Sequence, residues 1–263
     1  MTAPLNILRA GPADGPPLLL IHGAWHGAWC WQGNYLDYFA QAGFHTHALD
    51  LRGHGDSPAI RAMRWNRIRD YVDDAARTIA DMPAPPIVIG HSMGGFVVQH
   101  LMARGVPLRG AGLLAALPHT GALPVALKTL RTRPLTLARI LLTASLYPMV
   151  SDPQAAAHLF LDADASPDEI ATFHPRLTDE SFLAFLDLTA LALPRKPRDP
   201  PPVCVVGGSA DQLFPPASQQ RLAARFATSA HVIPDAPHDL MLSRHWQTSA
   251  GVFLTWASAL PPA

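Results

Sequence analysis

The sequence predicts an α/β fold, with a mostly parallel central sheet flanked by helices and an inserted α-helical cap. Short apolar runs alternate with longer helix-like segments through the first half of the chain, which is typical of βαβ units. A middle block, residues 119–198, contains proline-punctuated helical patterns and no convincing buried strand. Apolar strand-like runs then resume, and we expect them to join the same sheet.

The strands of the first half are predicted where short apolar runs end in turn residues. They are Leu18–Ile21, His45–Leu49, Ile87–Ile89 and Leu113–Leu117. Between them, Asn66–Met82 is predicted as a helix because its apolar residues recur along one face. A second helix-like run, Phe96–Met102, follows the third strand directly.

The middle block contains five predicted helices. They are Leu123–Thr132, Pro134–Ser145, Pro153–Phe160, Pro167–Phe173 and Ser181–Ala192. A proline-rich link follows, and strands are predicted again at Val203–Val206 and His231–Ile233. We therefore divide the chain into a core (residues 1–118 and 199–263) and a cap insertion (residues 119–198). The alternative of two consecutive domains would leave the last two strands without a sheet.

Composition narrows the function classes. The chain has 263 residues, 49% of them hydrophobic, so it can bury a full core. Lysine plus arginine and aspartate plus glutamate number 20 each, so a nucleic-acid partner is not expected. Cys30 and Cys204 lie far apart, and the histidines show no H-E-x-x-H spacing, so we expect no metal. Without a signal-like start or a run of about 20 apolar residues, the prediction is a cytoplasmic protein without a membrane span.

One motif points to nucleophilic catalysis. Gly90-His91-Ser92-Met93-Gly94 reads G-x-S-x-G and lies between the predicted strand Ile87–Ile89 and a helix. In this strand–turn–helix context, the motif indicates a nucleophile elbow that exposes the hydroxyl of Ser92. The alternative is a serine in the glycine-rich turn of a phosphate-binding fold. Three further features favour the catalytic interpretation.

Two of these features are an acid and a base that follow the last two strands. Asp211 comes after Val203–Val206, and His238 comes after His231–Ile233. Reactive groups gather at the carboxyl ends of parallel strands, and the order serine, acid, histidine suits this fold class. We therefore expect Asp211 to orient His238, and His238 to act as the base for the serine.

Other polar residues near this site are interpreted as structural. Asp235 and Asp239, next to the predicted base, are read as turn and helix-capping carboxylates. His231 and His245 are read as surface or packed histidines. His54, in a glycine-rich turn after the second strand, is expected to have no chemical role.

The third feature is an oxyanion trap after the first strand, in the segment His22–Trp29. Gly23 allows a tight turn, so the N–H of Ala24 and the N–H of Met93 can face the same point. His22 and His26 are expected to fix this loop through their ring nitrogens. Trp25 either lines the substrate site or covers the core, and both readings stay open.

Taken together, these motifs resemble the α/β-hydrolase superfamily over essentially the whole chain. The resemblance is carried by His22–Trp25, Asp50–Ser57, Gly90–Gly95, Asp211 and His238. The segments His22–Trp31 and His238–Ser243 also resemble the plant methylesterase and hydroxynitrile lyase branch. The resemblance implies a serine hydrolase that needs no cofactor.

The same resemblance helps to sort the possible reactions. Dehalogenases and epoxide hydrolases of this fold carry an aspartate nucleophile, whereas this chain has Ser92. Hydroxynitrile lyases have threonine and lysine where this chain has Gly23 and Asp239, and a carboxylate cannot stabilise departing cyanide. A lyase or cofactor-free oxygenase of the same fold, and a ligand-binding protein that keeps the triad, stay open as alternatives.

The sequence therefore predicts a serine esterase that works through an acyl-enzyme. Two leucine-rich stretches with few charges, Leu135–Tyr147 and Phe182–Leu193, are expected to roof an apolar pocket, which favours a small or medium-sized lipophilic ester. The same leucines could instead pack the cap onto the core. The expected partner is a small-molecule ester, and the sequence makes no prediction of oligomeric state.

Overall fold

The computed structural model describes residues 4–261. In this part, seven strands form one sheet in the order β1-β3-β2-β4-β5-β6-β7. The strands are β1 (Ile7–Ala10), β2 (Pro17–Ile21), β3 (His45–Leu49), β4 (Ile87–His91), β5 (Gly110–Leu114), β6 (Val203–Gly208) and β7 (Ala230–Ile233). β1 pairs antiparallel with β3, and every other pair is parallel. The predicted fold class is confirmed.

Ten α-helices accompany the sheet in the described residues. They are α1 (Tyr35–Gln41), α2 (Ile68–Ala80), α3 (Met93–Ala103), α4 (Leu123–Thr132), α5 (Pro134–Thr143), α6 (Pro153–Phe160), α7 (Pro167–Phe173), α8 (Phe182–Leu186), α9 (Pro216–Arg225) and α10 (Trp246–Ser258). The five helices α4 to α8 lie between β5 and β6 and contribute no strand to the sheet. The domain division at residues 119 and 198 agrees with this order and stays a prediction.

Helices cover both faces of the sheet, as the apolar character of its strands requires. Successive residues of β2 alternate between two buried clusters because strand side chains point to opposite faces. Leu19 packs in the cluster that includes α2, α3 and α9. Leu18 packs in the cluster that includes α1 and α10. None of the helices found between residues 4 and 261 combines the length and apolar character that crossing a bilayer requires.

The predicted strand Leu113–Leu117 is displaced by three residues. The observed strand β5 begins at Gly110 and ends at Leu114. Its two glycines are strand residues because rings of α10 occupy the space beside them, Phe253 against Gly112 and Trp256 against Gly110. The strand ends where Ala115 takes a positive φ of 41°, which a strand residue does not adopt.

Further elements differ from the prediction, which gave no range for β1, α1, α9 or α10. The edge strand β1 and the helix α1 were not anticipated, because one has four residues and the other seven, too few for a clear period. The predicted helix Ser181–Ala192 is divided into α8 and a π-helical turn, Asp187–Leu191. The wide turn begins at Asp187, whose carboxylate accepts hydrogen bonds from Arg67 and from the N–H of Ile68 at 3.1 Å.

A buried glutamate joins two parts of the chain. One is the segment that contains α4 to α8, which we call the helical block, and the other consists of the strands and the remaining helices, which we call the sheet part. Glu180 accepts a hydrogen bond from the Tyr71 hydroxyl at 2.7 Å, and its other oxygen lies 3.0 Å from Nε2 of His54. Both the carboxylate and the imidazole are fully buried. Burial by itself lowers the pKa of His54, but the charge and hydrogen bond of Glu180 outweigh it, so the pKa of His54 is raised. When His54 is protonated, the contact is an ion pair that ties the two parts together.

Candidate active site

Ser92 stands on the turn between β4 and α3 in a strained conformation. Its φ is 52° and its ψ is −115°, in a region that residues with a side chain rarely adopt. Its backbone is held by three hydrogen bonds: its N–H donates to the carbonyl of Leu114 at 3.0 Å, and its carbonyl accepts from the N–H groups of Leu117 at 3.1 Å and Phe96 at 3.3 Å. The strain is thus imposed by the neighbouring strand end and exposes the side chain at the edge of the sheet.

The turn also requires that α3 approach β2 closely. A Cβ atom at Gly94 would lie 2.3 Å from the carbonyl oxygen of Ile21, so only glycine fits there. Because α3 begins at Met93, its free N–H groups and its dipole face the region of Ser92.

The loop after β2 packs against the same turn. A Cβ atom at Gly23 would lie 2.9 Å from the Cβ of Ser92. Ala24, Ser92 and Met93 all line one cavity. The two backbone positions predicted to hold an oxyanion therefore border the cavity together with the serine.

Asp211 and His238 meet at the carboxyl ends of β6 and β7. Nδ1 of His238 lies 2.9 Å from Oδ2 of Asp211. The other carboxylate oxygen accepts the N–H groups of Leu213 at 2.8 Å and Phe214 at 2.9 Å, which fixes the orientation of the carboxylate. The ring must therefore donate its Nδ1 proton and keep Nε2 free to accept one. That Nε2 is buried and has no hydrogen-bond partner among residues 4–261.

Two carboxylates act on the pKa of His238. Burial lowers the pKa, the charge and hydrogen bond of Asp211 raise it, and the charge of Asp239 raises it further. The net result is a pKa above the ordinary histidine value. Stabilisation of the imidazolium form is what a base needs when it takes a proton during a reaction.

The interpretation of Asp239 as a capping carboxylate is wrong. Its side chain is fully buried, Oδ2 lies 2.9 Å from Nε2 of His26, and Oδ1 lies 3.5 Å from Nε2 of His91. Burial raises the pKa of this carboxyl, but the nearby histidines lower it more, so the pKa stays below the usual value. Asp235, by contrast, is an exposed turn residue with a φ of 57°, as predicted.

His91 connects this buried group to the candidate base. Its Nε2 donates a hydrogen bond to the carbonyl of His238 at 3.1 Å. Burial, followed by the nearby His238, lowers its pKa, so His91 is neutral and its proton stays on the donating nitrogen. The G-x-S-x-G turn therefore holds the backbone of the loop that carries His238.

The two histidines of the first loop are structural, as predicted. His22 pairs its Nδ1 with the carbonyl of Gly23 at 2.8 Å, and its Nε2 accepts the N–H of Leu51 at 3.1 Å. His26 contacts the carbonyl of Ala24 at 2.7 Å in addition to Asp239. Their ring nitrogens are thus occupied in fixing the turn beside Ser92.

An apolar cavity of about 760 Å³, including part of its open mouth, leads to Ser92. Its walls come from both parts of the chain: Trp25, Leu117 and Phe214 from the sheet part, and Val125, Ile140 and Leu188 from the helical block. Trp25 lines the cavity and packs against Phe160, with ring centroids 5.8 Å apart. Trp25 thus both borders the cavity and packs against another aromatic ring, and its contact with a substrate stays a prediction.

Among the described residues, one group has the spacing of potential metal ligands, and it overlaps the site. It consists of His91, His238 and Asp239. Nε2 of His91 is already bonded to the His238 carbonyl, and Asp239 is bonded to His26.

Comparison with known proteins gives a family match and partial relatives. The family described as "Alpha/beta hydrolase family" matches residues 18–250. Bovine protein phosphatase methylesterase 1 is 33% identical over 107 residues, which are 36% of this chain and 26% of that protein. The pimeloyl-[acyl-carrier protein] methyl ester esterase of Chromobacterium violaceum is 30% identical over 103 residues, 38% of this chain and 36% of that protein. The chain thus spans about a quarter to a third of the length of these relatives.

Solved structures with the same fold cover nearly the whole chain. A monoacylglycerol lipase of Paleococcus ferrophilus superposes with a TM-score of 0.71 at 20% identity, over 97% of this chain and 98% of that one. The methylesterase MES16 of Arabidopsis gives 0.69 at 22% identity, over 93% of this chain and 100% of that one. At these identities, the likeness concerns the fold alone.

Proposed function

Because this chain belongs to the alpha/beta hydrolase family, we propose that it is a serine esterase with Ser92, His238 and Asp211 as its catalytic residues. The observation that carries the proposal is the 2.9 Å contact between Asp211 and Nδ1 of a buried His238 whose Nε2 has no partner among the described residues. A strained serine stands at the carboxyl end of β4, a strand of the same parallel sheet. Base, orienting acid and nucleophile are the three groups that acyl transfer requires.

The reaction proceeds in two halves. The Ser92 hydroxyl attacks the ester carbonyl while Nε2 of His238 takes its proton, and Asp211 stabilises the imidazolium. The tetrahedral intermediate collapses, and His238 gives the proton to the departing alcohol. Water, deprotonated by His238, then attacks the acyl-enzyme; as the second tetrahedral intermediate collapses, His238 returns the proton to the Ser92 oxygen, and the acid is released.

The negative charge of each intermediate is held by the backbone. Ala24 and Met93 line the cavity together with Ser92, and their N–H groups act as the oxyanion donors in this proposal. Each donor contributes about 3 kcal/mol in comparable enzymes, because it is oriented before charge develops. The dipole of α3 adds to the same stabilisation.

The substrate is a neutral, small or medium-sized carboxylic ester with a lipophilic acyl or alcohol group. The side chains lining the cavity are nearly all apolar, and the hydroxyl of Thr129, on α4, already donates to Val125 at 2.9 Å. A charged substrate group would lose its hydration there without a partner. The names of the two methyl-ester-cleaving relatives support this ester class. Trp25 contributes apolar contact area to the bound ester.

Residues 119–198 act as a cap in this proposal, and residues 1–118 and 199–263 act as the hydrolase core. Val125 and Ile140 of the cap form the roof of the cavity, and Ser92 forms part of its floor. The roof keeps water away from the acyl group except at the mouth, which strengthens the interactions at the reacting carbonyl.

The test is hydrolysis of p-nitrophenyl esters of increasing acyl length by the native protein and by Ser92→Ala. We expect turnover with a preferred chain length, and a loss of about a thousandfold or more in the variant. An unchanged thermal unfolding curve shows that the variant is folded. Ester hydrolysis that survives in Ser92→Ala would exclude Ser92 as the nucleophile, and a native protein and variant that are equally inert would favour a lyase or oxygenase of the same fold. An inert native protein that retains an ester ligand would favour a binding role.

A further inference from the structure

The outward faces of α4 and α5 expose an unusual amount of apolar surface. Six of the eleven large apolar side chains exposed in residues 4–261 lie on these two helices: Leu123, Leu127, Leu130, Leu135, Leu141 and Leu142. The first three recur at i, i+4 and i+7 and so form a stripe along α4. On α5, Leu135 and Leu142 are 79% and 86% exposed. We call the six leucines together the leucine face.

This face is not needed to bury the helices against the rest of the chain. The opposite sides of α4 and α5 already line the cavity through Val125, Thr129 and Ile140. An amphipathic helix of a monomeric protein keeps polar residues on its outer side, whereas these helices are apolar on both. An exposed patch of this kind marks a surface that contacts something else.

Within the segment that carries the leucine face, the charged residues all have the same sign. Lys128, Arg131, Arg133 and Arg139 lie within Gly121–Ser151, and that segment contains no aspartate or glutamate. The chain as a whole has a formal net charge of zero, so the asymmetry is local.

Two of these arginines lie next to the most exposed leucines. Arg133 and Arg139 line one surface groove together with Leu135. Asp152 also lines that groove, but its carboxylate caps α6 by accepting the N–H of Ala155 at 2.7 Å. The groove therefore presents guanidinium groups beside an apolar surface.

We propose that the leucine face docks on an anionic lipid bilayer. The leucines lie at the boundary of the acyl chains, and the arginines lie at the level of the negative headgroups, the arrangement of an interfacial helix. A second copy of the chain is a poor occupant, because a symmetric contact would bring eight cations together without a carboxylate from this segment. The bilayer supplies both the apolar phase and the opposite charge.

In this docked position, α4 and α5, the helices that form the roof of the cavity, lie against the lipid. The inference concerns a binding surface and does not depend on the esterase proposal, because vesicle binding is measured without any substrate.

The test is co-sedimentation of the full chain with vesicles of phosphatidylcholine alone and of phosphatidylcholine mixed equally with phosphatidylglycerol. We expect stronger binding to the anionic vesicles, decreasing as salt is added. Leu135→Ser/Leu142→Ser should lower partition to the anionic vesicles by about tenfold or more. Arg131→Gln/Arg139→Gln should lower it by about tenfold on anionic vesicles and have little effect on neutral ones.

Two control variants remove the same kinds of side chain, apolar or cationic, from positions outside the leucine face. Ile60→Ser/Trp65→Ser removes two exposed apolar side chains outside α4 and α5, and Arg9→Gln/Arg221→Gln removes two exposed cations near opposite edges of the sheet. Both controls should bind like the native protein. The proposal is overturned if the native protein does not bind anionic vesicles. It is also overturned if Leu135→Ser/Leu142→Ser and Arg131→Gln/Arg139→Gln bind like the control variants. It is also overturned if light scattering detects a dimer that Leu135→Ser/Leu142→Ser abolishes, since a second copy then covers the face.

Discussion

At the scale of single residues, the position of His238 between two carboxylates governs how it titrates. Asp211 bonds directly to the ring, whereas Asp239 follows His238 in the chain and acts through its charge. Asp239 is fully buried and held by His26, so its charge is weakly screened. A buried carboxylate without a contact to the reacting atoms can therefore change the pH at which the base works.

We predict that Asp239→Asn shifts the pH dependence of ester hydrolysis. His238 must be neutral to accept a proton, so kcat/KM rises with pH through its pKa. Asp239 helps to raise that pKa, and removing its charge should move the acidic limb of the profile to lower pH. Plateau activity should fall by less than about tenfold, because Asp211 still orients the ring.

The control for this prediction is Asp235→Asn, three residues before His238. Asp235 is exposed and adopts a positive φ that asparagine tolerates, so its profile should match that of the native protein. Equal pH profiles for the native protein and both variants would show that the charge of Asp239 does not change the pKa of His238.

The positions of the candidate catalytic residues could be predicted from the sequence, but their buried support could not. Ser92, Asp211 and His238 each follow a recognisable strand, and parallel strands end at the same edge. The contact between His26 and Asp239 joins residues 213 positions apart. Nothing local in either sequence segment indicates that partner, and Asp239 therefore looked like an ordinary capping residue.

At the scale of elements, the helical block is joined to the sheet part by buried acids that act as fixed anchors. Glu180 pairs with His54 and Tyr71, and Asp187 pairs with Arg67 and the first N–H of α2. Both anchors lie near α8, at the end of the block that leads back to β6. The roof of the cavity is thus attached by polar contacts as well as by apolar packing.

We predict that Glu180→Gln destabilises the protein more in weak acid than in base. The pKa of His54 is raised in the folded state, so the ion pair contributes fully below the unfolded pKa of about 6.5. That contribution is lost as the pH rises through the folded pKa. The loss in free energy of unfolding should be about 3 kcal/mol near about pH 6 and smaller near about pH 9.

Urea unfolding at the two pH values measures this difference, with Glu169→Gln as the control. Glu169 is an exposed capping residue of α7, and its loss should cost about 1 kcal/mol at either pH. A destabilisation by Glu180→Gln that is the same at both pH values would contradict a charged His54.

Elements with strong local signals were predicted well, and elements defined by distant neighbours were not. The proline starts of α5, α6 and α7 are visible in the sequence because proline suits the first helical position. The start of β5 could not be predicted, because Gly110 and Gly112 have no side chain that indicates a strand. They belong to the strand only because rings of α10, more than 100 residues later, pack beside them.

At the scale of the whole molecule, the sheet and the helical block together create the cavity. The strand ends supply a strained serine, a buried histidine and the aspartate that contacts it along one edge. The block inserted after β5 supplies most of the apolar wall that faces them. The sequence predicts this division from the long interval without strands, but it could not show which leucines line the cavity and which face outward.

We predict that Ala126→Leu shortens the acyl chain that the protein accepts. Ala126 lies on α4 and lines the cavity, so a leucine there fills space that a longer acyl group would occupy. The value of kcat/KM for p-nitrophenyl esters of medium acyl length should fall about tenfold or more, while the acetate ester should react as before. Ala224→Leu, on the exposed side of α9, adds the same volume outside the cavity and should leave the whole series unchanged. An equal loss for every ester in Ala126→Leu would contradict the prediction. It would indicate general damage to the fold rather than a shorter pocket, and Ala126 would no longer be assigned to the substrate site.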